Sequence, residues 1–168
     1  MTNATHSLDR PREQLWDLIK DIRFAMFTTR HENGVLHSRP MTTQNQSLGG
    51  EDVLCFFMSR RSDAVSDLVA EPTVNLSYAH PGMDRYVSVS GQAVISENMA
   101  RKKLLWSKLN EAWFPGGVDD PDLALVEVSI THAQYWDVKE NKMTQLFQMA
   151  KAAITGKPPA TLGESGEI

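Results

Sequence analysis

Two short stretches of the sequence combine residue types that bind anionic or polar ligands. The first is the run 56–63, in which an apolar segment leads into a predicted helix. The amide N–H groups and the positive dipole end of a helix start favour anions. Ser59 and Ser62 add hydroxyl donors, and Arg60 and Arg61 add guanidinium groups that suit phosphate. The same residues are equally consistent with a helix capped by Ser62 and two solvated arginines.

The second stretch, His37-Ser38-Arg39-Pro40-Met41-Thr42, lies inside a predicted strand. Pro40 cannot donate a hydrogen bond to a neighbouring strand, so it marks a sheet edge or a bulge where backbone groups are free for a ligand. Arg39 beside it favours a polar ligand over a core position. The competing interpretation is an edge strand that Pro40 and Arg39 protect against aggregation.

A third feature places two large aromatic residues at the end of a predicted helix. Trp113 and Phe114 precede Pro115-Gly116-Gly117, which is a strong helix stop. Aromatic residues in this position are more typical of a core or a dimer interface than of stacking on a ligand. The feature therefore indicates packing as readily as binding.

Other signatures of catalysis are missing from the sequence. It has no dinucleotide-binding glycine motif, no phosphate-binding P-loop, no nucleophile elbow and no CxxC pair. The five histidines (6, 31, 37, 80 and 132) do not have the HxxxH or HExxH spacing of metal ligands. We therefore predict no metal site, and no residue stands out as a catalytic acid or base.

Hydrophobic periodicity and turn residues predict more strands than helices. Most predicted strands follow one another through short turns, which favours an antiparallel barrel with peripheral helices over an alternating βαβ fold. Helices are predicted at 7–22, 62–70, 98–113 and 144–155, and strands at 24–29, 35–44, 53–58, 73–79, 86–97, 123–130 and 133–138.

The composition bounds the class of protein. A chain of 168 residues with a net charge of −4 suits one domain and argues against a dedicated nucleic-acid binder. The longest apolar run, Val53–Met58, is too short to span a membrane, and the first residues do not resemble a signal peptide. With a single cysteine, we expect a cytoplasmic protein with one domain over 1–155 and a mobile tail over 156–168.

Taken together, the three features resemble the pyridoxamine 5′-phosphate oxidase-like FMN-binding split-barrel family, in particular its general stress protein subgroup. The resemblance covers roughly residues 15–138 and depends on the order and spacing of the motifs. It implies a mainly β (α+β) fold, a six-stranded antiparallel split β-barrel with peripheral helices. It also implies a homodimer with a flavin in each of two clefts between the subunits. FMN is the expected cofactor, and the residues leave FAD open.

The resemblance also assigns parts of the cofactor to particular residues. It implies that the isoalloxazine ring lies along Arg39, Pro40, Met41 and Thr42. The ribityl chain would follow Phe57, Met58 and Ser59. The phosphate would be surrounded by Arg60, Ser62 and Asp63, and Trp113 and Phe114 would reach the cofactor from the second subunit.

One departure from the family bears on activity. Pyridoxamine-phosphate oxidases proper bind the phosphate of their substrate with an arginine-rich C-terminal motif, whereas all nine arginines of this chain lie at or before Arg101. The resemblance therefore indicates a flavin-binding stress protein with oxidoreductase chemistry rather than a vitamin B6 oxidase. A non-enzymatic flavin sensor or carrier is the main alternative, and a cofactor-free interaction module is another.

Overall fold

The described part of the chain, residues 5–137 and 164–168 of a computed structural model, contains three α-helices and seven strands. None of these helices has the length and hydrophobicity that crossing a membrane requires. The predicted helix at 144–155 lies outside the described residues. The helices are α1 (Thr5–Ile19), α2 (Asp63–Ala70) and α3 (Met99–Leu105). The strands are β1 (Ala25–Arg30), β2 (Leu36–Met41), β3 (Val53–Ser59), β4 (Thr73–His80), β5 (Arg85–Ser96), β6 (Leu123–Asp137) and β7 (Glu164–Glu167).

Six of the strands form one antiparallel sheet in the order β2-β1-β4-β5-β6-β3. The sheet curls until its two ends meet at one point, where Thr43 forms an isolated antiparallel bridge with Phe56. Beyond that bridge β2 and β3 do not pair. The strand signals predicted an antiparallel barrel with peripheral helices and the resemblance implied a six-stranded split barrel, and both predictions are confirmed.

The core follows from the alternation of side chains along the strands. Ala25, Phe27 and Thr29 of β1 point inward and are buried, and the ring of Phe27 meets Phe56 edge-on at 5.1 Å. β3 is covered on both faces, as its unbroken apolar run predicts. Its outer face belongs to a second, smaller cluster of buried residues: Cys55, Phe57, Phe114, Leu123 and Leu125.

The predicted helix 98–113 is wrong in its second half. α3 ends at Leu105 because Trp106 adopts an extended conformation, with φ −66° and ψ 133°. This turn of the chain packs the Trp106 ring against Phe57, with ring centroids 5.7 Å apart. Residues Lys108–Ala112 then form a short 3₁₀ helix. The helix therefore ends where Trp106 packs on β3, although the helical periodicity of the sequence continues to residue 113.

The two strands predicted at 123–130 and 133–138 are one continuous strand, β6. The extra residue at the break is absorbed by a bulge, because Ser90 of β5 pairs with His132 whereas Gly91 pairs with Ile130. Gly91 lies close against β6 at this bulge, and a Cβ atom there would lie 2.5 Å from the Ser129 carbonyl oxygen. The polar residues near 131 therefore mark a bulge rather than a turn.

The expected mobile tail needs a correction at its end. Glu164–Glu167 form β7, which pairs with β6 from Gln134 to Asp137. β3 pairs with β6 only up to Ser129, so β7 covers a part of β6 that β3 does not reach. Gly166 lies against the ring of Tyr135, where a Cβ atom would approach to 2.8 Å. The free edge of β6 thus pairs with β7 through backbone hydrogen bonds, although the segment has few apolar side chains to bury.

Candidate ligand-binding site

A cavity of about 770 Å³ opens where β2 and β3 part. The antiparallel register of the Thr43–Phe56 bridge would continue by setting Thr42 opposite Phe57 and Met41 opposite Met58. These pairs do not form, and β2 pairs with β1 alone among the described strands. All four residues line the cavity instead. The cavity is therefore bounded by two strand edges whose backbone groups face each other.

Eleven of the twelve residues predicted to bind a cofactor line this one cavity. They come from β2 and its end, from β3 and the start of α2, and from the loop after the 3₁₀ helix. That they contact a cofactor remains a prediction. The eleven are Arg39, Pro40, Met41, Thr42, Phe57, Met58, Ser59, Ser62, Asp63, Trp113 and Phe114.

Arg60 is the twelfth, and the structure does not place it on the cavity wall. Its guanidinium group points away and donates to both carboxylate oxygens of Glu97, at 2.8 and 2.9 Å. Arg61 lines the cavity in its place. The two adjacent arginines pair with different carboxylates, Arg60 with Glu97 and Arg61 with Asp122, and only Arg61 lies on the cavity wall.

The start of α2 forms the polar end of the cavity. Ser62 caps the helix: its Oγ accepts from the Val65 N–H at 3.3 Å and donates to the Ser59 carbonyl at 2.7 Å. The capping interpretation of Ser62 is thus correct, and the residue also faces the cavity. Asp63 and Ala64 follow on the wall, and their N–H groups have no partner within the helix. An anion at this end would meet N–H donors and the helix dipole.

Asp122 fixes the arrangement of this polar end. It accepts from Ser59 Oγ at 2.7 Å and from Arg61 Nε at 3.1 Å. The Arg61 hydrogen bond, followed by that of Ser59, lowers the pKa of Asp122 below its ordinary 3.8. The carboxylate is consequently ionised at neutral pH and holds Arg61 beside the cavity.

Arg39 connects the cavity to a buried polar network. Its Nη1 donates to Thr29 Oγ1 at 2.9 Å, and Thr29 in turn donates to Asp67 Oδ2 at 2.7 Å. Asp67 lies on α2 and is 3% exposed. Arg39 is therefore held by contacts behind the cavity wall, which fix its direction.

Sequence reasoning missed several residues of the wall. Arg23 and Phe24, just before β1, lie there with the guanidinium stacked over the ring at 4.9 Å. Asn110 donates to Gln44 at 3.3 Å, and both line the cavity. Gln44 could have been found, because it falls on the same side of the predicted strand as Thr42. The other three carry no signal in the sequence.

Trp113 and Phe114 differ in their environments although they are adjacent. Phe114 is 7% exposed and packs in the cluster outside β3, whereas Trp113 is 82% exposed at the mouth of the cavity. Both residues line the cavity of their own chain. That they reach the cofactor of the second subunit, as the resemblance implies, stays a prediction.

We expect Asp122→Asn to destabilise the protein at neutral pH and to have no effect in strong acid. A carboxyl group whose pKa is lowered by folding stabilises the fold above its ordinary pKa, and this contribution is lost as the pH falls through the lowered value. Thermal unfolding midpoints of the two proteins, measured from about pH 7 to pH 2, should therefore converge below the ordinary 3.8. Asp21→Asn, at an exposed position, is the control. A difference that does not change with pH would contradict the assignment.

Fold and cavity together define a class: an antiparallel split barrel with a ligand cleft between the unpaired edges of two strands. A family model described as pyridoxamine 5′-phosphate oxidase-like matches residues 10–160. The chain belongs to this family, which confirms the resemblance read from its motifs.

Similar proteins agree with the assignment. Protein bli-3 of Neurospora crassa is 30% identical over 170 aligned residues, which cover 96% of this chain and 80% of that protein. The general stress FMN/FAD binding protein of Xanthomonas citri is 30% identical, with a TM-score of 0.67 over 80% of this chain and 92% of the other. General stress protein 26 of Bacillus anthracis, at 22% identity and a TM-score of 0.65 over 75% of this chain and 93% of the other, supports the fold.

Proposed function

We propose that this protein binds FMN in the cavity between β2 and β3 and uses it in oxidation–reduction. The observation that carries the proposal is the order in which apolar and polar groups follow one another along the cavity. An apolar slot between two strand edges leads to the start of α2, where Ser59, Ser62 and Arg61 lie. A flavin has the matching sequence of a planar ring, a polyol chain and a phosphate.

The chemistry of the lining groups fits each part of this ligand. Pro40, Met41 and Met58 offer apolar surface to a flat ring. The edge of β2 that faces away from β1 presents backbone N–H and C=O groups to the polar rim of such a ring. At the other end, hydroxyl, amide and guanidinium donors suit a phosphate. Bound flavin supplies hydride and single-electron transfer.

FMN is the preferred nucleotide of this proposal, rather than FAD. The polar end of the cavity has one guanidinium group, Arg61, and two carboxylates, Asp63 and Asp122, near it. A second phosphate would add negative charge beside these carboxylates. The similar protein of Xanthomonas citri is an FMN/FAD binding protein, so a comparison of both nucleotides belongs in the test.

The role of the protein in this chemistry is to bind and orient. The ionisable side chains on the cavity wall are Arg23, Arg39, Arg61 and Asp63 among the described residues. Arginine keeps its proton in proteins, and Asp63 is an exposed carboxyl group. These arginines would hold and orient a bound flavin, and we assign no residue as a general acid or base.

We also propose that two copies of the chain associate over the mouth of the cavity. Three large apolar side chains are strongly exposed. Trp113 (82%) lies at this mouth, and Leu104 (77%) and Leu109 (84%) lie on α3 and on the 3₁₀ helix that precede it. Large apolar side chains with this exposure favour burial against another protein surface. Light scattering during gel filtration should give twice the mass of the chain, and a monomer that still binds FMN would contradict the association.

The proposal is tested by the visible absorption spectrum of the purified protein before and after addition of excess FMN and desalting. We expect a yellow protein with about one flavin per chain, and weaker retention of FAD. Reduction of the bound flavin by NADH or NADPH, followed under anaerobic conditions, then separates a reductase from a carrier. A protein that stays colourless and shows no change in flavin fluorescence on titration with FMN would overturn the proposal.

A further inference from the structure

Two histidines and a buried aspartate come together outside the cavity. His31 follows β1, His37 lies on β2 and Asp67 lies on α2. Thr29 pairs with His37 across the hairpin, so His31, two residues beyond Thr29, is the diagonal neighbour of His37 on the same face. The two imidazole rings stack with centroids 5.4 Å apart and planes inclined by 17°.

One nitrogen or oxygen donor from each of these three side chains lies within 4.8 Å of the other two. His31 Nδ1 and Asp67 Oδ1 are 2.7 Å apart. The hairpin turn at 32–34 sets this geometry: the His31 N–H donates to the Val35 carbonyl, and Gly34 has a φ of 84°. The sequence did not reveal the cluster because its members come from three elements.

Asp67 supplies the negative charge of the cluster. Its Oδ2 faces Thr29 and lies 3.9 Å from Arg39 Nη2, whereas its Oδ1 faces His31. Asp67 therefore meets Arg39 through one carboxylate oxygen and His31 through the other.

We propose that His31, His37 and Asp67 form a binding site for a divalent late first-row metal ion such as Zn²⁺. Neutral imidazole nitrogens favour zinc, copper and nickel, whereas calcium and magnesium require a shell of oxygens. Two nitrogens and one carboxylate oxygen leave coordination positions for water. The proposal does not depend on flavin binding.

Calorimetric titration of the full chain with ZnCl₂ tests the site. An imidazole binds a metal ion only when its ligating nitrogen is unprotonated, so the titration is best done near about pH 8. We expect one Zn²⁺ per chain in the wild type. His31→Asn and His37→Asn should each abolish saturable binding, and Asp67→Asn should weaken it by about tenfold or more.

His80→Gln is the matched control, because it removes a histidine outside the cluster and should bind Zn²⁺ like the wild type. Circular dichroism shows whether each variant is folded. Electron paramagnetic resonance of bound Cu²⁺ gives a second measurement on the unmutated chain, with nitrogen coupling expected from two imidazoles. Equal Zn²⁺ binding by the wild type and the His31→Asn/His37→Asn double variant would overturn the proposal, as would a wild type without saturable binding.

Discussion

Arg61→Ala is expected to weaken FMN binding by about tenfold, whereas Arg60→Ala should leave it within about twofold. The two residues are adjacent and identical in type, but Arg61 lines the cavity and Arg60 is paired with Glu97. Arg61 is 85% exposed, so solvent screening keeps the loss at the lower end of what a charged hydrogen bond contributes. Fluorescence titration with FMN measures both variants.

The salt dependence of binding gives this comparison a second readout. Removing Arg61 takes a cation from the phosphate end, so the affinity of Arg61→Ala should depend less on ionic strength than that of the wild type or of Arg60→Ala. Riboflavin, which lacks the phosphate, should bind the three proteins equally. If Arg60→Ala loses affinity and Arg61→Ala does not, then Arg60 and not Arg61 binds the phosphate, and the assignment of the two arginines is wrong.

Gly91→Ala should lower the free energy of unfolding by about 3 kcal/mol and the melting temperature by roughly 10 °C. The added Cβ would lie 2.5 Å from the Ser129 carbonyl oxygen and 2.6 Å from Val128 Cγ1. The first of these atoms is backbone within the paired β5–β6 ladder, so relief requires the strands to separate at the bulge. Thermal and urea unfolding followed by circular dichroism measure the change.

Gly50→Ala is the matched control for this substitution. Gly50 lies in an exposed turn, and a Cβ atom there has no neighbour within 4 Å. Alanine has fewer backbone conformations than glycine in the unfolded chain, so the free energy of unfolding should stay the same or rise by up to about 1 kcal/mol. A Gly91→Ala protein as stable as the wild type would mean that the bulge is looser than the structure shows.

The sequence predicted the barrel because each strand carries its own local signal. The unbroken apolar run of β3 indicated burial on both faces, and Asn33-Gly34 indicated the hairpin between β1 and β2, where the structure has them. Pro40 indicated an edge strand, and β2 ends the sheet. The residues of the cavity wall came from motifs at strand ends, which is why most of them lie together.

What the sequence could not predict depends on contacts between distant segments. The helical period at 98–113 gave no sign that Trp106 would pack on Phe57 and end α3. The choice between Arg60 and Arg61 depends on partners from elsewhere, Glu97 and Asp122. These contacts join residues that are far apart in the sequence, so no local sequence pattern predicts them.

The binding site lies where the sheet would continue if β2 and β3 went on pairing beyond the Thr43–Phe56 bridge. Pairing between the two strands stops at this bridge, and the cavity opens where the next pairs, Thr42 with Phe57 and Met41 with Met58, would form. Its depth therefore depends on how many such pairs are missing. One more pair of facing residues would shorten the cavity by about 3.3 Å. A barrel of this kind could evolve a deeper or shallower site by moving the point at which two strands part, with the order of its strands unchanged.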